Sequence, residues 1–411
     1  MSQSRRDFLK QFGTSTAMTA AWVASGSSLL LGESSSPAQP TQQPAHQSAQ
    51  ASSPAQTGST ASGKKIGYCI VGLGRISMNE FMPGVQISKN SKLVALVSGH
   101  RDKAERVADQ YGISHKAIYD YTNYDQIAHN PEIDAVYIAL PNGMHAEYTI
   151  RAAKAGKHVL CEKPMANTVA ECEQMIAACR AADRKLMIAY RLQYEPNTLN
   201  AIHLLRQGYA GKLLELDCAF GFNMKPGEWR LNKKLAGGGP LYDVGIYCIN
   251  ASRYLTGEEP VSVQGYSTVI DHDGRFNEVE ENVAWTMRFP SGVVSNCLTS
   301  YGSNFVGSRA RVIGTTGTLE MNPAYNYSGL HFVGRSESGG ERDFSILDPN
   351  PQQFAREADH LAECILENKE PKSDGQEGLR DMKIIRAIYQ SSDEGRAIPL
   401  HLNTLVAHKT A

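Results

Sequence analysis

The sequence predicts an α/β protein of two domains: a doubly wound parallel sheet, followed by an α+β domain whose open sheet is mainly antiparallel. Three observations support this fold class. A chain of 411 residues is longer than one ordinary domain. Short apolar runs alternate with helical segments over residues 64–190. Beyond residue 191 the strand candidates follow one another with turns between them.

The first predicted domain, residues 64–190, consists of buried strands and the helices between them. Each strand candidate is a short, continuously apolar run, as expected for a parallel sheet covered on both faces. The predicted strands are residues 65–71, 93–97, 135–140, 157–160 and 186–189. The predicted helices are one that ends near residue 87 and three at residues 103–110, 145–155 and 169–182.

The second predicted domain, residues 191–411, starts with a helix near residues 196–207. Its strand candidates are residues 213–220, 261–269, 283–289, 293–299, 310–313 and 318–321. One helix near residues 241–255 is inserted between strands, and helices at residues 352–367 and 375–389 close the chain. These last two helices are candidates to pack back onto the first domain.

The N-terminus carries the pattern of an export signal. Paired Arg5 and Arg6 precede Phe-Leu-Lys and a weakly apolar run, which predicts a twin-arginine (Tat) signal over residues 1–32. The apolar run is too diluted by Ser, Thr and Gly to predict stable membrane insertion. Residues 33–63, rich in Ser, Ala, Pro and Gln, predict a disordered linker or pro-segment. We therefore expect the Tat machinery to export this protein to the periplasm.

Charge and cysteine spacing exclude other classes of protein. The formal net charge is -1 and no long basic run occurs, which argues against a nucleic-acid-binding protein. The eight cysteines are scattered without a CxxC pair, so neither a metal site nor a disulfide framework is expected. Small buried apolar residues are the simplest interpretation of these cysteines.

A glycine-rich turn follows the first strand and opens the first helix. In the run Gly72-Leu73-Gly74-Arg75-Ile76-Ser77 the first glycine permits a tight turn, and the second lets the backbone approach a pyrophosphate. The small Ser77 replaces the usual third glycine. In this strand-turn-helix context the motif predicts a Rossmann domain that binds a dinucleotide.

The end of the second strand indicates which dinucleotide. Sites for NAD usually place Asp or Glu there to bond the ribose 2′-hydroxyl. Here the segment contains Ser98 and Gly99, followed by Arg101 and Lys103, with no carboxylate at the strand tip. A hydroxyl and two cations suit a 2′-phosphate, so we predict NADP rather than NAD.

Two further segments lie where ligands gather, beyond the carboxyl ends of strands. In Cys161-Glu162-Lys163-Pro164 the lysine is a candidate to point into the cofactor cleft, although a surface lysine before a helix-starting proline fits equally well. Residues 141–145, which include Pro141, Asn142 and His145, are candidates to contact the nicotinamide or its ribose. A plain helix cap at Asn142 is the alternative.

Asp243 and Tyr247 lie four residues apart in the helix predicted near residues 241–255, so both could reach one point. A tyrosine is a poor base at its usual pKa of about 10, and a nearby lysine ammonium would lower that pKa. The alternative interpretation is a helix cap and a core residue.

Together these motifs resemble the glucose-fructose oxidoreductase, inositol dehydrogenase and rhizopine-catabolism (Gfo/Idh/MocA) family, from residue 64 onwards. Many family members carry His where this chain has Tyr247. In this position the chain resembles the glucose-fructose oxidoreductase subgroup, which carries a tyrosine. The segments that carry the resemblance are residues 71–74, 96–99, 118–121, 145–147, 155–165, 185–191, 229–231, 236–247 and 253–260.

The resemblance implies roles for individual residues. Lys163 would lie beside the nicotinamide, Asp243 would orient the substrate and Tyr247 would exchange the proton of the reacting hydroxyl. The residues assigned to the cofactor are Gly72, Leu73, Gly74, Arg75, Ile76, Ser98, Gly99, Arg101, Lys103, Pro141, Asn142, His145, Glu162, Lys163, Arg191, Trp229 and Arg230. Those assigned to the substrate are Tyr190, Asp243, Tyr247 and Tyr301.

The resemblance also implies an activity: oxidation of a cyclic aldose at C1 to its lactone, with tightly bound NADP that then reduces a second sugar. The alternatives are a sugar dehydrogenase or reductase with exchangeable NADP, and a non-catalytic sugar- or nucleotide-binding protein. A homodimer or homotetramer is expected through the second sheet. Residues 220–227 and 329–348 depart from the subgroup, which leaves the identity of the sugar open.

Overall fold

The computed structural model describes residues 63–402. The predicted Tat signal lies outside the described residues, and so does the predicted linker apart from residue 63. Within the described range, the strands form one sheet of six and one of nine.

The first sheet is entirely parallel, with the strand order β3-β2-β1-β4-β5-β6. This order confirms the doubly wound fold, in which the connections reverse direction between β1 and β4 and open a crevice there. Strand β3 was not predicted, because two residues are too short to show a hydrophobic pattern. The strands are β1 (Ile66–Val71), β2 (Ser91–Val97), β3 (Ile118–Tyr119), β4 (Ala135–Ile138), β5 (His158–Glu162) and β6 (Leu186–Ala189).

Helices connect these strands. The first begins with a π-helical turn, Ser77–Phe81, and continues as α1, Met82–Ile87. The others are α2 (Arg101–Tyr111), α3 (His145–Lys154) and α4 (Val169–Ala181), and α5 (Pro196–Arg206) follows the sheet.

The second sheet is mixed and mainly antiparallel, as predicted. Its order is β14-β13-β12-β11-β7-β10-β9-β8-β15, and among its described strands β7 and β10 form the parallel pair. Residues 329–348 contain an unpredicted hairpin, β13 with β14. The strands are β7 (Leu213–Gly221), β8 (Ser262–Thr268), β9 (Asn282–Arg288), β10 (Val294–Ser300), β11 (Gly307–Gly314), β12 (Gly317–Met321), β13 (Phe332–Ser336), β14 (Gly340–Asp343) and β15 (Ile398–Pro399).

Four helices accompany the second sheet in the described part of the chain: α6 (Lys233–Ala236), α7 (Ile246–Thr256), α8 (Gln352–Leu366) and α9 (Gly375–Glu394). A π-helical turn, Leu241–Gly245, leads directly into α7. No described helix is long and apolar enough to cross a membrane.

The two closing helices join the sheets through one continuous apolar core that runs from β1 to β15. On α8, the carbonyl of Ala358 accepts a 2.9 Å hydrogen bond from the hydroxyl of Tyr68 in β1. On α9, Gly378 lies so close to Ile188 in β6 that an added Cβ would be 3.0 Å from its side chain. The eight cysteines are all buried and unpaired.

A buried group of charges holds α7 against α9. The Arg253 guanidinium is fully buried and bonds to Glu259 at 2.6 Å, to Asp381 at 2.7 Å and to Glu377 at 2.8 Å. The Asn250 side chain also donates to Asp381, at 2.6 Å. Because a buried charge is tolerated only when it is paired and hydrogen-bonded, this group fixes one packing of the two helices.

Candidate active site

A cavity of about 1250 Å³ lies beyond the carboxyl ends of the first sheet and extends to the second. Single small-molecule pockets usually measure about 300–1,000 Å³, so this cavity has room for a dinucleotide together with a second ligand. Its walls come from both predicted domains: the glycine-rich turn, the ends of β2, β4 and β5, the segment after β7, and residues 325–328.

The glycine-rich turn forms one end of the cavity. Gly72 has a φ of +94°, and a Cβ there would lie 2.7 Å from the carbonyl oxygen of Ala139. A Cβ on Gly74 would meet no protein atom within 4 Å, so the cavity is open at that backbone position. Ser77, in place of the third glycine, donates a 2.7 Å hydrogen bond to the Gly72 carbonyl and closes the turn. The turn therefore offers the close backbone approach that a pyrophosphate requires.

Of the residues predicted to bind the nucleotide at the tip of β2, only some line the cavity. Ser98, Gly99 and Lys103 line the cavity, and the Lys103 ammonium donates a 2.6 Å bond to the Leu73 carbonyl of the glycine-rich turn. Among residues 63–402, no carboxylate lines the cavity at this strand tip. At this position the Lys103 ammonium and the Ser98 hydroxyl could bind a 2′-phosphate.

Arg101, assigned to the same phosphate, does not line the cavity. Its guanidinium bonds to Glu105 at 2.7 Å and to the carbonyls of His115 and Ile118. The cavity is lined instead by His100, which the sequence analysis missed. The sequence pattern cannot distinguish these neighbours, because the side-chain direction depends on where α2 begins.

Lys163, Asp243 and Tyr247 lie together at the centre of the cavity wall. Lys163 follows directly after β5, and its ammonium donates to the Asp243 carbonyl at 2.7 Å and to its carboxylate at 3.2 Å. The same ammonium lies 5.0 Å from the centre of the Tyr247 ring. Asp243 lies in the π-helical turn before α7 and Tyr247 in the first turn of α7.

The Asp243 carboxylate has three side-chain partners. Besides Lys163, Arg230 lies 3.0 Å away and the Tyr301 hydroxyl donates a 2.8 Å bond. Burial alone would raise the pKa of Asp243, but Arg230 and Lys163 outweigh burial and hold that pKa well below its usual range. Asp243 is therefore ionised at neutral pH and acts as an anchor rather than as a proton donor.

Lys163 is correspondingly held as an ammonium. Burial alone would lower its pKa, but the charges of Tyr247, Asp243 and Glu162 raise it overall. The Glu162 carboxylate accepts a 2.6 Å bond from the Tyr137 hydroxyl, and burial raises the pKa of Glu162. The centre of the site thus presents a fixed cation and a phenol side by side.

The second predicted domain supplies further walls. Trp229 and Arg230 line the cavity as predicted, with the guanidinium carbon of Arg230 4.6 Å from the centre of the Trp229 ring. Arg75 and Ile76 also line it, and Arg75 pairs with Glu228 at 3.1 Å across the opening. Pro141 and Asn142 contribute as well, and the Asn142 amide bonds to the Ala236 carbonyl at 2.8 Å rather than capping α3.

Three predicted residues lie behind the cavity surface. His145 is fully buried, and its ring nitrogens lie 2.9 Å from the Leu140 carbonyl and 3.0 Å from that of Pro164. Tyr301 reaches the site through Asp243, and Tyr190 lies buried beside Lys163 and Arg191. These positions indicate that the three side chains support the loops and side chains of the cavity wall rather than contact a ligand directly.

Several cavity residues could not be identified from a motif. The wall formed by Tyr325, Asn326, Tyr327 and Ser328 follows β12 and has no recognisable pattern. Residues 220–227 depart from the glucose-fructose oxidoreductase subgroup. They contribute to the cavity wall Phe220, Phe222, Asn223, Met224 and Lys225. Within residues 63–402, no group of three or more His, Cys, Asp or Glu side chains is placed to hold a metal ion.

Comparison with known proteins matches both halves of the chain. Residues 66–190 match an oxidoreductase family with an NAD-binding Rossmann fold, Gfo/Idh/MocA, and residues 198–320 match a Gfo/Idh/MocA C-terminal domain. The NADP(+)-dependent D-xylose 1-dehydrogenase of Haloarcula marismortui is 33% identical over 350 residues, which cover 83% of this chain and 95% of that protein.

Solved structures give the same result. The aldose-aldose oxidoreductase of Caulobacter crescentus, complexed with glycerol, is 45% identical with a TM-score of 0.79, covering 82% of this chain and 100% of that one. A 3-ketoreductase of Actinomadura kijaniata with NADP and TDP-benzene shares the fold at 22% identity and a TM-score of 0.70, covering 80% and 98%. The resemblance expected from the motifs is confirmed, and the chain belongs to the Gfo/Idh/MocA family of oxidoreductases.

Proposed function

We propose that this enzyme oxidises a cyclic aldose at C1 to its lactone and reduces a second sugar with the same bound NADP. The observation that carries the proposal is the joint placement of Lys163, Asp243 and Tyr247 in a cavity whose other end is the glycine-rich turn. A cation and a phenol beside a dinucleotide site are the groups that oxidation of a hydroxyl requires.

The enzyme depends on NADP. Its residues fit that cofactor: Gly72 and Gly74 leave the backbone open to the pyrophosphate, while Ser98 and Lys103 would hold the 2′-phosphate. The D-xylose dehydrogenase and the 3-ketoreductase that this chain resembles are both associated with NADP.

The protein's own groups have distinct roles in the reaction. When bound, the nicotinamide supplies the acceptor for the hydride that leaves C1 of the sugar. Tyr247 takes the proton of the C1 hydroxyl, and the Lys163 ammonium stabilises the negative charge that develops on that oxygen. Asp243 keeps Lys163 in place through the 2.7 Å and 3.2 Å bonds. Reduction of the second sugar uses the same groups in reverse.

A sugar substrate is supported by relatives and by the lining of the cavity. The D-xylose dehydrogenase and the aldose-aldose oxidoreductase are named for reactions of sugars. Aromatic side chains, among them Phe220, Tyr247, Tyr325 and Tyr327, stand beside the charged groups. Such a mixture suits a ligand with apolar ring faces and many hydroxyl groups.

Retention of the nucleotide would explain export of a folded enzyme. We propose that the Tat machinery carries the loaded protein to the periplasm, where the second sugar, rather than free NADP, regenerates the cofactor. We also propose a homodimer or homotetramer formed through the open face of the second sheet. The name of the Caulobacter relative supports a two-sugar reaction, whereas that of the Haloarcula relative supports an alternative, a dehydrogenase with exchangeable NADP.

The test is to incubate the purified enzyme with pairs of sugars and no added nucleotide, and then analyse the products. We expect lactone and reduced sugar in equal amounts over many turnovers. Turnover that requires added NADP would favour the exchangeable dehydrogenase. If no sugar reacts, with or without added NADP, the sugar oxidoreductase proposal is wrong.

A further inference from the structure

Arg191 has a place in the site that a cofactor-binding role does not explain. It lies two residues beyond the end of β6, next to the strand end that carries Lys163, and only 4% of it is exposed. Its Nε donates a 3.2 Å hydrogen bond to the hydroxyl of Tyr247. Lys163, by contrast, directs its ammonium at Asp243, at 2.7 Å and 3.2 Å.

The rest of the guanidinium is already in use. Nη1 donates to the Gln353 side chain at 2.7 Å and to the Asn326 carbonyl at 3.3 Å, while Nη2 donates to the Tyr325 carbonyl. Gln353 in turn donates a 2.7 Å bond to the Tyr327 carbonyl. The guanidinium is thereby locked in one orientation, with Nε directed at the phenol.

We propose that Arg191 is a positioning residue that fixes the Tyr247 hydroxyl through its Nε–H and aims the phenolic oxygen at the reacting hydroxyl. This inference rests on the proposed function, because it assigns Tyr247 as the base of that reaction. With one lone pair occupied by Nε–H, the rest of the oxygen faces the substrate.

The charges around Tyr247 support this assignment. Lys163 and Arg191 both flank its ring, at 5.0 Å and 5.1 Å from the ring centre. The other titratable groups near it are Asp243, one turn earlier on the chain, and the phenols of Tyr325 and Tyr327. Burial would lower the pKa of Arg191, but the charges of Tyr247 and Tyr327 raise it overall.

The proton and hydride balance is simple. In the oxidation, the O–H bond of the C1 hydroxyl breaks and its proton passes to the Tyr247 phenolate. The C1–H bond would break as a C=O bond forms, and bound NADP would supply the acceptor for the hydride. Arg191 stays protonated throughout and needs no partner from solution.

The experiment measures the rate of single-turnover reduction of bound NADP over a range of aldose concentrations, in the wild type, Arg191→Lys and Arg191→Gln. Loss of the charged donor in Arg191→Gln should lower the maximal rate about tenfold, the effect of one charge-assisted hydrogen bond. The aldose concentration at half-maximal rate should stay within about twofold of the wild type, because the lost bond acts on the reacting oxygen. Arg191→Lys keeps a charged donor and should retain a maximal rate within about threefold of the wild type.

A second pair of variants leaves Arg191 in place and covers the case in which Arg191→Gln does not fold. Gln353→Met removes the 2.7 Å bond that holds Nη1, so the guanidinium is less firmly oriented and the maximal rate should fall. Gln353→Glu, the matched control, keeps an acceptor for Nη1 and should retain a maximal rate closer to that of the wild type.

The outcomes separate the two proposals. If the wild type reduces its NADP but Arg191→Gln or Gln353→Met keeps the wild-type maximal rate, the role of Arg191 is refuted and the proposed function stands. An equal fall of the maximal rate in Arg191→Lys and Arg191→Gln also contradicts a role of the charged donor. If the wild type transfers no hydride from any aldose, the proposed function itself fails.

Discussion

The ammonium of Lys163 lies 2.7 Å from the main-chain carbonyl of Asp243, a residue 80 positions further along the chain. One residue follows the fifth strand of the parallel sheet, and the other lies in the π-helical turn before α7. The bond therefore ties the carboxyl end of the parallel sheet to the part of the molecule that carries Tyr247. The geometry of the reacting groups depends on how the two sheets are joined.

Tyr247→Phe tests the acid-base assignment. The variant keeps the aromatic ring that packs against Phe220 and Tyr325, so NADP should remain bound. Turnover should fall at least about 10²-fold, the lower end of general acid-base effects. Steady-state kinetics with measured nucleotide content check this. Unchanged turnover would remove Tyr247 from the mechanism.

Asp243→Asn tests the anchor of Lys163. The amide keeps the shape but loses the charge that pairs with Lys163 and Arg230, so the ammonium is held only by its 2.7 Å bond to the main-chain carbonyl and is less firmly placed. We expect kcat to fall about 10²-fold, the effect of a displaced catalytic group. Asp217→Asn is a matched control, because Asp217 pairs with Arg309 in a half-exposed ion pair on the second sheet. Equal kinetics of the two variants would contradict the anchor role.

Ser98→Asp tests the choice of nucleotide. A carboxylate at this strand tip would repel the 2′-phosphate and accept a bond from a ribose hydroxyl. The ratio of the Kd values for NADP and NAD should shift towards NAD by about 10- to 100-fold, equivalent to about 1.5–3 kcal/mol. Titration of nucleotide-free enzyme measures both constants, and Ser98→Ala serves as the uncharged control. A preference for NADP that survives in Ser98→Asp would place the phosphate elsewhere.

Arg253→Met tests the buried charges between α7 and α9. Removal of the guanidinium leaves Glu259, Glu377 and Asp381 without their shared partner. The free energy of unfolding should drop by about 3–5 kcal/mol. Urea unfolding compares this variant with Arg309→Met on the second sheet, which should cost at most about 1 kcal/mol. Similar losses in both variants would contradict the account.

The same charges make the stability of the fold depend on pH. Ionisation of Glu377 and ionisation of Asp381 change the stability in opposite directions. Burial would raise the pKa of Glu377, but Arg253 and Arg380 hold it at about 2. This pKa is below the value of about 4.3 that a glutamate has in the unfolded chain. Ionised Glu377 therefore stabilises the folded protein above about pH 4.3, and this stabilisation is lost as the pH falls towards 2. Burial raises the pKa of Asp381 to about 6, so its ionisation lowers stability as the pH rises from about 4 to 6.

Unfolding midpoints measured across this range check both signs. Glu377→Gln should flatten the acid limb, and Asp381→Asn should flatten the decline between about pH 4 and 6. A steeper acid limb in Glu377→Gln would show that the sign is wrong.

The sequence predicted the parallel sheet well because its strands are continuously apolar and separated by amphipathic helices. Strands β3 and β15 were missed because each has two residues, too few for a period to show. The hairpin of β13 and β14 was missed because β14 is exposed along its whole length and lacks alternation. Long-range pairing, not local pattern, determines such strands.

The residues of the candidate site also divide into those that a local motif could identify and those that it could not. Lys163, Asp243 and Tyr247 could be chosen because motifs place them at strand ends or on one helix. The contact of Arg191 with Tyr247 spans 56 positions and has no local signal. The difference between His100 and Arg101 depends on the first turn of α2, which sequence patterns do not resolve.

In the proposed reaction, hydride leaves C1 of an aldose for the bound NADP. The most direct test supplies an aldose deuterated at C1 to the NADP-loaded enzyme and follows the label in the nucleotide by mass spectrometry. We expect one deuterium per nucleotide, together with a slower single turnover than with the unlabelled sugar. Reduced nucleotide without deuterium, or no reduction by any aldose, would contradict it.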